Sequence, residues 1–269
     1  MKVAIDFGIS NTDIAVSNDA NVDFFTIPST KINHLILDEI FEQINIDIDL
    51  IDKIAVTGGK SDSLDSIYKT IEVIKINETD AIGNGVIEIY STHEPFVAIS
   101  AGTGTACIYH QDGEFNYIGG IAIGGGTIKG LSNLTLNSSS IDELTKKALL
   151  GNRDNIDLLI GDVVNDIGVL NPSVTASNFA KLKKGDDVSE NDVAAAIFNM
   201  IGEVIGTIAY LNAAVCGIKK VHFIGRVSTN EVIQNAINAR LKLANMEGLF
   251  EDNREYGTVV GALKLLNDN

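Results

Sequence analysis

Several groups of residues in this chain have types and spacings suited to handling phosphate. The densest runs from Ser100 to Leu131, SAGTGTACIYHQDGEFNYIGGIAIGGGTIKGL, with glycines clustered at Gly102 and Gly104, at Gly119 and Gly120, and from Gly124 to Gly126. Glycine weakens strands and helices, so this density suits a backbone that turns sharply or lies against a ligand. Thr103, Thr105 and Thr127 sit inside the clusters, and bare N–H groups beside hydroxyls make good phosphate partners. Tight hairpins in an all-β segment would use the same glycines. The interleaved threonines favour a nucleotide clamp. A second group, Gly225-Arg226-Val227-Ser228-Thr229-Asn230, follows an apolar strand and precedes a helical pattern, a geometry that suits a phosphate or nucleoside. The third is Glu78, in Asn77-Glu78-Thr79-Asp80 at a strand-to-helix junction, where a side chain can project into a cleft. Local sequence by itself favours the plainer reading of a capped helix start, since Asn77, Thr79 and Asp80 cap well and an acid suits the positive end of a helix.

The elements that must position these groups follow an α/β pattern. Lys2–Asp6, Thr12–Val16 and Val22–Ile27 read as an antiparallel meander whose first turn runs from Asp6 to Asn11. Ile32–Ile44 has helical spacing, Lys53–Val56 is a buried strand ended by Thr57-Gly58-Gly59, and Thr70–Lys75 is a strand leading into a helix over Ala81–Tyr90. This order predicts a mixed sheet with helices on its faces. After His93-Glu94-Pro95, a plausible boundary, Phe96–Ser100, Thr105–Tyr109 and Phe115–Ile121 form a second meander, a duplication of pattern rather than of letters. Helices are expected from Gly126, with its first amides facing whatever the triple glycine approaches, and over Ser140–Leu150, Pro172–Lys184 and Ser189–Val215. The last of these is so broadly apolar that it must be buried on most sides, as a core helix or as half of a dimer interface. Lys220–Ile224 is a strand, a helix runs to about Leu243, Leu249–Asp252 is a last strand, and Tyr256-Gly257-Thr258 opens a final helix through Leu265.

Composition bounds the partners. The chain has 269 residues, 45% hydrophobic and 21% charged, with a formal net charge of −16, ordinary for a core-forming soluble protein. That charge argues against nucleic acid and against anionic membrane surfaces. No signal peptide or run of membrane-spanning length is read, so a cytoplasmic location is expected. Cys107 and Cys216 lie in apolar sequence with no metal-ligand spacing, and His34, His93, His110 and His222 are scattered. They read as structural residues.

Taken together, Asp-x-Gly in the first hairpin, Gly-Thr-Gly-Thr opening the second half and the late strand–glycine–helix turn resemble the nucleotide site of the actin-like ATPases, and within them the type II pantothenate kinases. The resemblance spans almost the whole chain and is carried by Val3–Gly8, Thr57–Gly59, Glu78–Ala81, Ser100–Thr105, Gly119-Gly120, Gly124–Leu131, Phe223–Gly225 and Gly257–Leu263. It implies two ribonuclease-H-like lobes, 1–93 plus 257–269 and 94–256, with ATP and Mg²⁺ in the cleft between them. It also implies a homodimer joined through the long helix at Ser189–Val215. Glu78 would be the base acting on a substrate hydroxyl, and Asp6 would hold Mg²⁺. Gly8, Ser10, Asn11 and the stretch Gly102, Thr103, Gly104 and Thr105 would touch phosphates. Gly124, Gly125, Gly126, Thr127 and Gly225 would border the nucleoside, with Arg226 beside them. Such roles are chemically reasonable, because phosphoryl transfer needs positioning, charge neutralisation and a carboxylate near the attacking hydroxyl.

The chain departs from the family pattern at the first hairpin. Asp-x-Gly-Gly-Thr-x-x-Lys becomes Asp6-Phe7-Gly8-Ile9-Ser10-Asn11-Thr12-Asp13. Ile9 could crowd a phosphate, and Asp13 reverses a charge, an effect worth several kcal/mol at ~5 Å and an effective dielectric near 20. The arginine expected before Gly119-Gly120, on the acceptor side, is Tyr117. Arg226 is unusual for its position and either restores a positive charge near the phosphates or is simply solvated. An ATP-dependent kinase for pantothenate or a related hydroxyl compound is the leading reading. A catalytically weak dimeric binding or regulatory protein, a kinase for another hydroxyl substrate, and an ATPase without a small-molecule acceptor stand beside it.

Overall fold

The computed structural model describes residues 1–18, 21–59, 61–164 and 171–268. A short apolar run rich in β-branched residues makes β1 (Lys2–Phe7), which pairs antiparallel with β2 (Asn11–Asn18) in the register Asp6 to Asp13; β2 continues antiparallel into β3 (Asn21–Pro28). Helix α1 (Ile36–Gln43) returns the chain to β4 (Lys53–Gly58), which lies parallel to β1 and places Thr57 beside Asp6. The short β5 (Ile67–Tyr68) and β6 (Ile71–Lys75) complete a six-stranded mixed sheet in the order β3-β2-β1-β4-β6-β5. Helix α2 (Glu78–Tyr90) follows β6, its start fixed by the Asn77 side chain accepting from the Thr79 amide.

The second half repeats the plan. β7 (Phe96–Ala101), β8 (Thr105–Gln111) and β9 (Glu114–Ile121) form an antiparallel meander. Helices α3 (Gly125–Leu136) and α4 (Ile141–Leu150) follow, then β10 (Leu158–Leu159), the one-turn α5 (Ile160–Val163) and β11 (Thr175–Ser177). Helix α6 (Glu190–Val215) leads to β12 (Lys220–Ile224), α7 (Glu231–Leu243), β13 (Glu247–Leu249) and α8 (Gly257–Asp268). The sheet order β13-β12-β7-β8-β9, with β12 parallel to β7 and to β13, mirrors β3-β2-β1-β4-β6 of the first half. The duplication legible in the two meanders therefore extends to the parallel strands.

Between the sheets lie α2 and α8. Ala81 of α2 and Val259, Ala262, Leu263 and Leu266 of α8 pack on Ala4, Ala15 and Ala55 of the first sheet, whereas Ile82 and Val86 of α2 pack on Phe96, Ala98, Ile108 and Ile224 of the second. The helices touch at glycines: a Cβ at Gly85 would fall on the Gly257 carbonyl, and one at Gly261 on that of Ala81. Packed interiors leave no room for such atoms, so the spine joining the lobes depends on these glycines.

Helix α6 is the centre of the second lobe's core, with Ile197, Phe198, Ile201 and Ile205 fully buried against α3, α4, α7 and the sheet. By length and composition it would suffice to span a membrane, against the expectation of no run of that length, but its sides are largely taken up by the core, as its broadly apolar pattern predicts. A half-exposed apolar stripe, Met200, Val204, Ile208 and Leu211, remains.

Two expected elements differ. Residues 172–184 are not a helix: Thr175–Ser177 pairs with β10, and turns follow. The cause is tertiary, since the Thr175 hydroxyl donates to buried Glu203 (2.7 Å) and accepts from Arg153 (2.8 Å). The last strand lies at Glu247–Leu249, drawn N-terminally by parallel pairing with β12, rather than at Leu249–Asp252.

Candidate functional site

The expected site residues lie mainly on turns at the ends of β1, β4, β6, β7 and β12, where an α/β sheet opens a crevice. In the first hairpin, Gly8 allows a tight return: its amide donates to the Asp6 carbonyl (3.1 Å), and a Cβ there would meet the Asn11 carbonyl at 2.6 Å. The Ser29 hydroxyl donates to the Gly8 carbonyl (2.6 Å), tying the loop to the end of β3. Ile9 is 81% exposed, its side chain directed to solvent.

The second hairpin is braced by backbone. The Gly102 amide donates to the Gly104 carbonyl (2.9 Å), while the amides of Gly125 and Gly126 at the start of α3 donate to the carbonyls of Gly102 (2.8 Å) and Thr103 (3.0 Å). What the triple glycine approaches is thus the Gly102–Gly104 loop itself. A Cβ at Gly124 would meet the carbonyls of Gly102, Thr103 and Gly104 at 2.6 to 3.0 Å. The Thr105 hydroxyl donates to the Ile123 carbonyl (2.8 Å), and the Thr127 hydroxyl accepts from the Gly124 amide (3.3 Å). Gly225, at φ +86°, passes so close to the end of β7 that a Cβ would strike the Ala101 backbone.

The two hairpins meet across the cleft. The hydroxyls of Ser10 and Thr103 are hydrogen-bonded at 2.9 Å. Arg226 from the second lobe donates to Asp13 (2.6 Å) and to the Thr26 hydroxyl (2.9 Å) of the first, and Thr26 itself donates to Asp13 (2.6 Å). The guanidinium also lies 5.6 Å from the Tyr256 ring centroid, a ring stacked on Phe24. Arg226 is therefore neither freely solvated nor independent of the departure at position 13. It supplies a positive charge where the first hairpin has an acid. Burial holds the Asp13 carboxyl above its ordinary value, outweighing the bonds from Thr26 and Arg226.

Asp6 has the largest perturbation in the cleft. Burial first, then the charge of Glu78, then that of Asp13, push its carboxyl up to about 7. Its carboxylate abuts Gly58, where a Cβ would clash with it. In register beside it, the Thr57 hydroxyl is buried without a partner, a condition proteins ordinarily avoid. A hydrated divalent cation fits this setting: Asp6 supplies a carboxylate, nearby acids reinforce the negative field, and an orphaned hydroxyl is available to its water. Mg²⁺ uses one or two carboxylates plus substrate phosphates and water rather than an all-protein cage, consistent with the lack of any three-residue metal cluster among the described residues.

Glu78 is the first residue of α2, exposed, and close enough to Asp6 to raise its proton affinity. Beside it opens a cavity of about 410 Å³, lined in part by Gly58, Ser61, Asp62 and Lys75. Tyr117 lies on the edge strand β9, 62% exposed, its hydroxyl over Gly120. Thr57 enters the sequence pattern as part of the Thr57–Gly59 motif with no role of its own, and no spacing rule marks Lys75 or the loop at Ser61 and Asp62.

Comparison with known proteins identifies the family and the fold. The Fumble family model matches residues 9–264. A type II pantothenate kinase from Bacillus thuringiensis is 29% identical over 271 residues, covering 97% of this chain and 96% of the relative. Pantothenate kinase 1 from Arabidopsis thaliana is 37% identical over 141 residues, 49% of this chain and 37% of that protein. Among solved structures, the activator of 2-hydroxyisocaproyl-CoA dehydratase from Clostridium difficile with bound ADPNP superposes with a TM-score of 0.67 at 16% identity, over 99% of this chain and 94% of that one. A ROK family glucokinase from Streptomyces griseus in complex with glucose and AMPPNP gives a TM-score of 0.67 at 12% identity, over 100% and 99%. The fold is that of the actin-like ATPases, and the chain belongs to the Fumble family, with type II pantothenate kinases as homologues across nearly its whole length.

Proposed function

We propose that this protein is an ATP- and Mg²⁺-dependent kinase that phosphorylates the hydroxyl of a small molecule, with pantothenate as the acceptor. The observation that carries the reading is Glu78 at the start of α2, close enough to Asp6 to raise its proton affinity, in a chain homologous to type II pantothenate kinases. Glu78 accepts the proton of the acceptor hydroxyl as its oxygen bonds to the γ-phosphorus and the bond to the ADP oxygen breaks. Asp6 holds the cation, which neutralises charge on the transferring phosphoryl group. The Gly8 turn and the Gly102–Thr105 hairpin grip the phosphates through backbone and hydroxyl groups. Gly124, Gly125, Gly126, Thr127 and Gly225 shape the nucleoside side, where Arg226 adds a cation. The half-exposed stripe of α6 is proposed to join two copies in a homodimer, testable by sedimentation.

Thermal stabilisation by ATP-Mg, followed by ADP formation with and without pantothenate, tests the reading. Stabilisation together with pantothenate-dependent ADP is expected. No stabilisation at millimolar ATP-Mg would overturn it. Glu78→Gln should abolish turnover, by at least about 100-fold on the scale of a positioned base, and leave nucleotide binding intact. A kinase with a different hydroxyl acceptor is the second reading, favoured by Tyr117 at the acceptor-side arginine position; it predicts ATP-Mg stabilisation without pantothenate-dependent turnover.

A further inference from the structure

We propose that the cavity beside Glu78 is the acceptor pocket, and that Lys75 holds the anionic end of the acceptor in place of the arginine absent at Tyr117. This rests on the kinase reading above. The cavity's volume, about 410 Å³, is that of a small-molecule site. One wall is Glu78, and another is Gly58, against which the Asp6 carboxylate lies. A hydroxyl entering here meets Glu78, with the Asp6 carboxylate behind Gly58. The lining loop at Ser61 is tied to the end of β4: the Ser61 hydroxyl donates to the Gly58 carbonyl at 2.8 Å.

Lys75 ends β6 and lines the same cavity. Its ammonium donates once, to the Asp62 carbonyl at 2.6 Å, which anchors it to that loop. A lysine ammonium has three donors, so two remain for a ligand. No carboxylate among the described residues lies within ion-pair distance of it, in a chain of net charge −16. The cavity is lined by two acids, Asp62 and Glu78, and one cation, Lys75; a ligand that offers a hydroxyl to Glu78 and an anionic group to Lys75 matches that pairing.

The test uses the full-length protein, pantothenate, and its neutral N-methyl amide as probes. Calorimetric titration without nucleotide and steady-state ADP formation are measured for the parent, Lys75→Ala and Lys75→Arg. Lys75→Ala should weaken binding of the acid about 10- to 100-fold, the range for a hydrogen bond to a charged group. It should leave binding of the amide unchanged and raise KM with kcat within about two-fold, as for uniform binding. Lys75→Arg should stay within a few-fold of the parent. Lys75 is exposed, so unchanged thermal unfolding is expected in both variants. Equal losses for acid and amide, no loss for the acid, or no binding of the acid by the parent would each overturn the proposal. Lys75-dependent binding of the acid without ATP-Mg stabilisation or ADP would sink the kinase reading and keep the pocket; turnover of pantothenate with a KM indifferent to Lys75 would do the reverse.

Discussion

The hairpins at Asp6–Asp13 and at Gly102–Thr105 occupy matching places in two sheets of the same strand order, yet they are held differently. The second is closed by its own amides and by the first amides of α3, and its residues Gly102 to Thr105 carry no ionisable group. The first has backbone bonds from Gly8 to Asp6 and from Ser29 to Ser10, and side-chain bonds in which Ser29 holds Gly8 and Ser10 meets Thr103. Unlike the second, it is tied across the cleft by a charged pair, Arg226 on Asp13. Asp13 and Arg226, each unusual for the family when taken singly, form one pair. The reversal of charge in one lobe is answered by a cation from the other, so the charge balance of the first hairpin depends on contact between the lobes.

The backbone-held hairpin should fail hardest. Gly124→Val would drive a side chain into three carbonyls, and overpacking of that kind costs about 1–3 kcal/mol. Loss of the ATP-induced rise in unfolding temperature is expected. Gly130→Ala, whose new methyl meets nothing within 4 Å, should keep it.

The charge-paired hairpin should instead be repairable. Arg226→Ala strips the cation and leaves Asp13 facing the phosphates, so ATP affinity should fall about 10- to 100-fold, the scale of a lost charge-assisted contact. Asp13→Lys by itself sets two cations against each other across the cleft, and no gain in ATP affinity is expected. The double variant Asp13→Lys with Arg226→Ala returns a single cation to the first lobe and should bind ATP within a few-fold of the parent. Fluorescence titration with a labelled nucleotide separates these cases. A double variant no better than Arg226→Ala would show that the cation cannot be moved between lobes.

Only the first hairpin should titrate. Asp6 is raised to about 7 from an ordinary value near 3.8, so between those limits the folded state binds more protons than the unfolded one. Linkage then requires stability to fall as pH rises through that window. That is the contribution of Asp6 alone: burial pushes the His222 imidazole down to about 4, which adds stability as pH rises over much of the same window. In the metal-free protein, Asp6→Asn should therefore tilt the stability–pH profile upward relative to the parent between about pH 4 and 7. Binding of Mg²⁺ in the presence of nucleotide should release a proton and tighten as pH rises through 7. Calorimetry in buffers of different ionisation enthalpy measures the proton count.

Much of this was legible in the residues, and what was not has physical causes. Strands such as Lys2–Phe7 and Phe96–Ala101 and the long helix α6 announce themselves by periodicity and length. The glycine clusters announce close approach, though not that the partner of Gly125 and Gly126 would be the Gly102–Thr103 backbone. The strand at Thr175–Ser177 was hidden because its placement depends on Glu203 and Arg153, far away in sequence. The Asp13–Arg226 pair spans more than two hundred residues, and the cavity beside Glu78 arises only when the ends of β4 and β6 are brought together.

Ile9 offers the finest division between the hairpins. It stands where the family has glycine, and a branched side chain over the phosphates would be expected to repel them. The structure turns it outward, 81% exposed, so steric exclusion is not its main effect. Ile9→Gly should then change ATP affinity by no more than about two-fold, while the added freedom of the unfolded chain lowers stability by about 0.5–1 kcal/mol. Glycine also releases the loop from the conformational limits of a β-branched residue, which should appear as faster amide exchange at Gly8 and Ser10 and not at Gly102 to Gly104. An affinity gain of tenfold or more would mean that Ile9 turns inward when the nucleotide binds, and that the first hairpin is limited by its backbone after all.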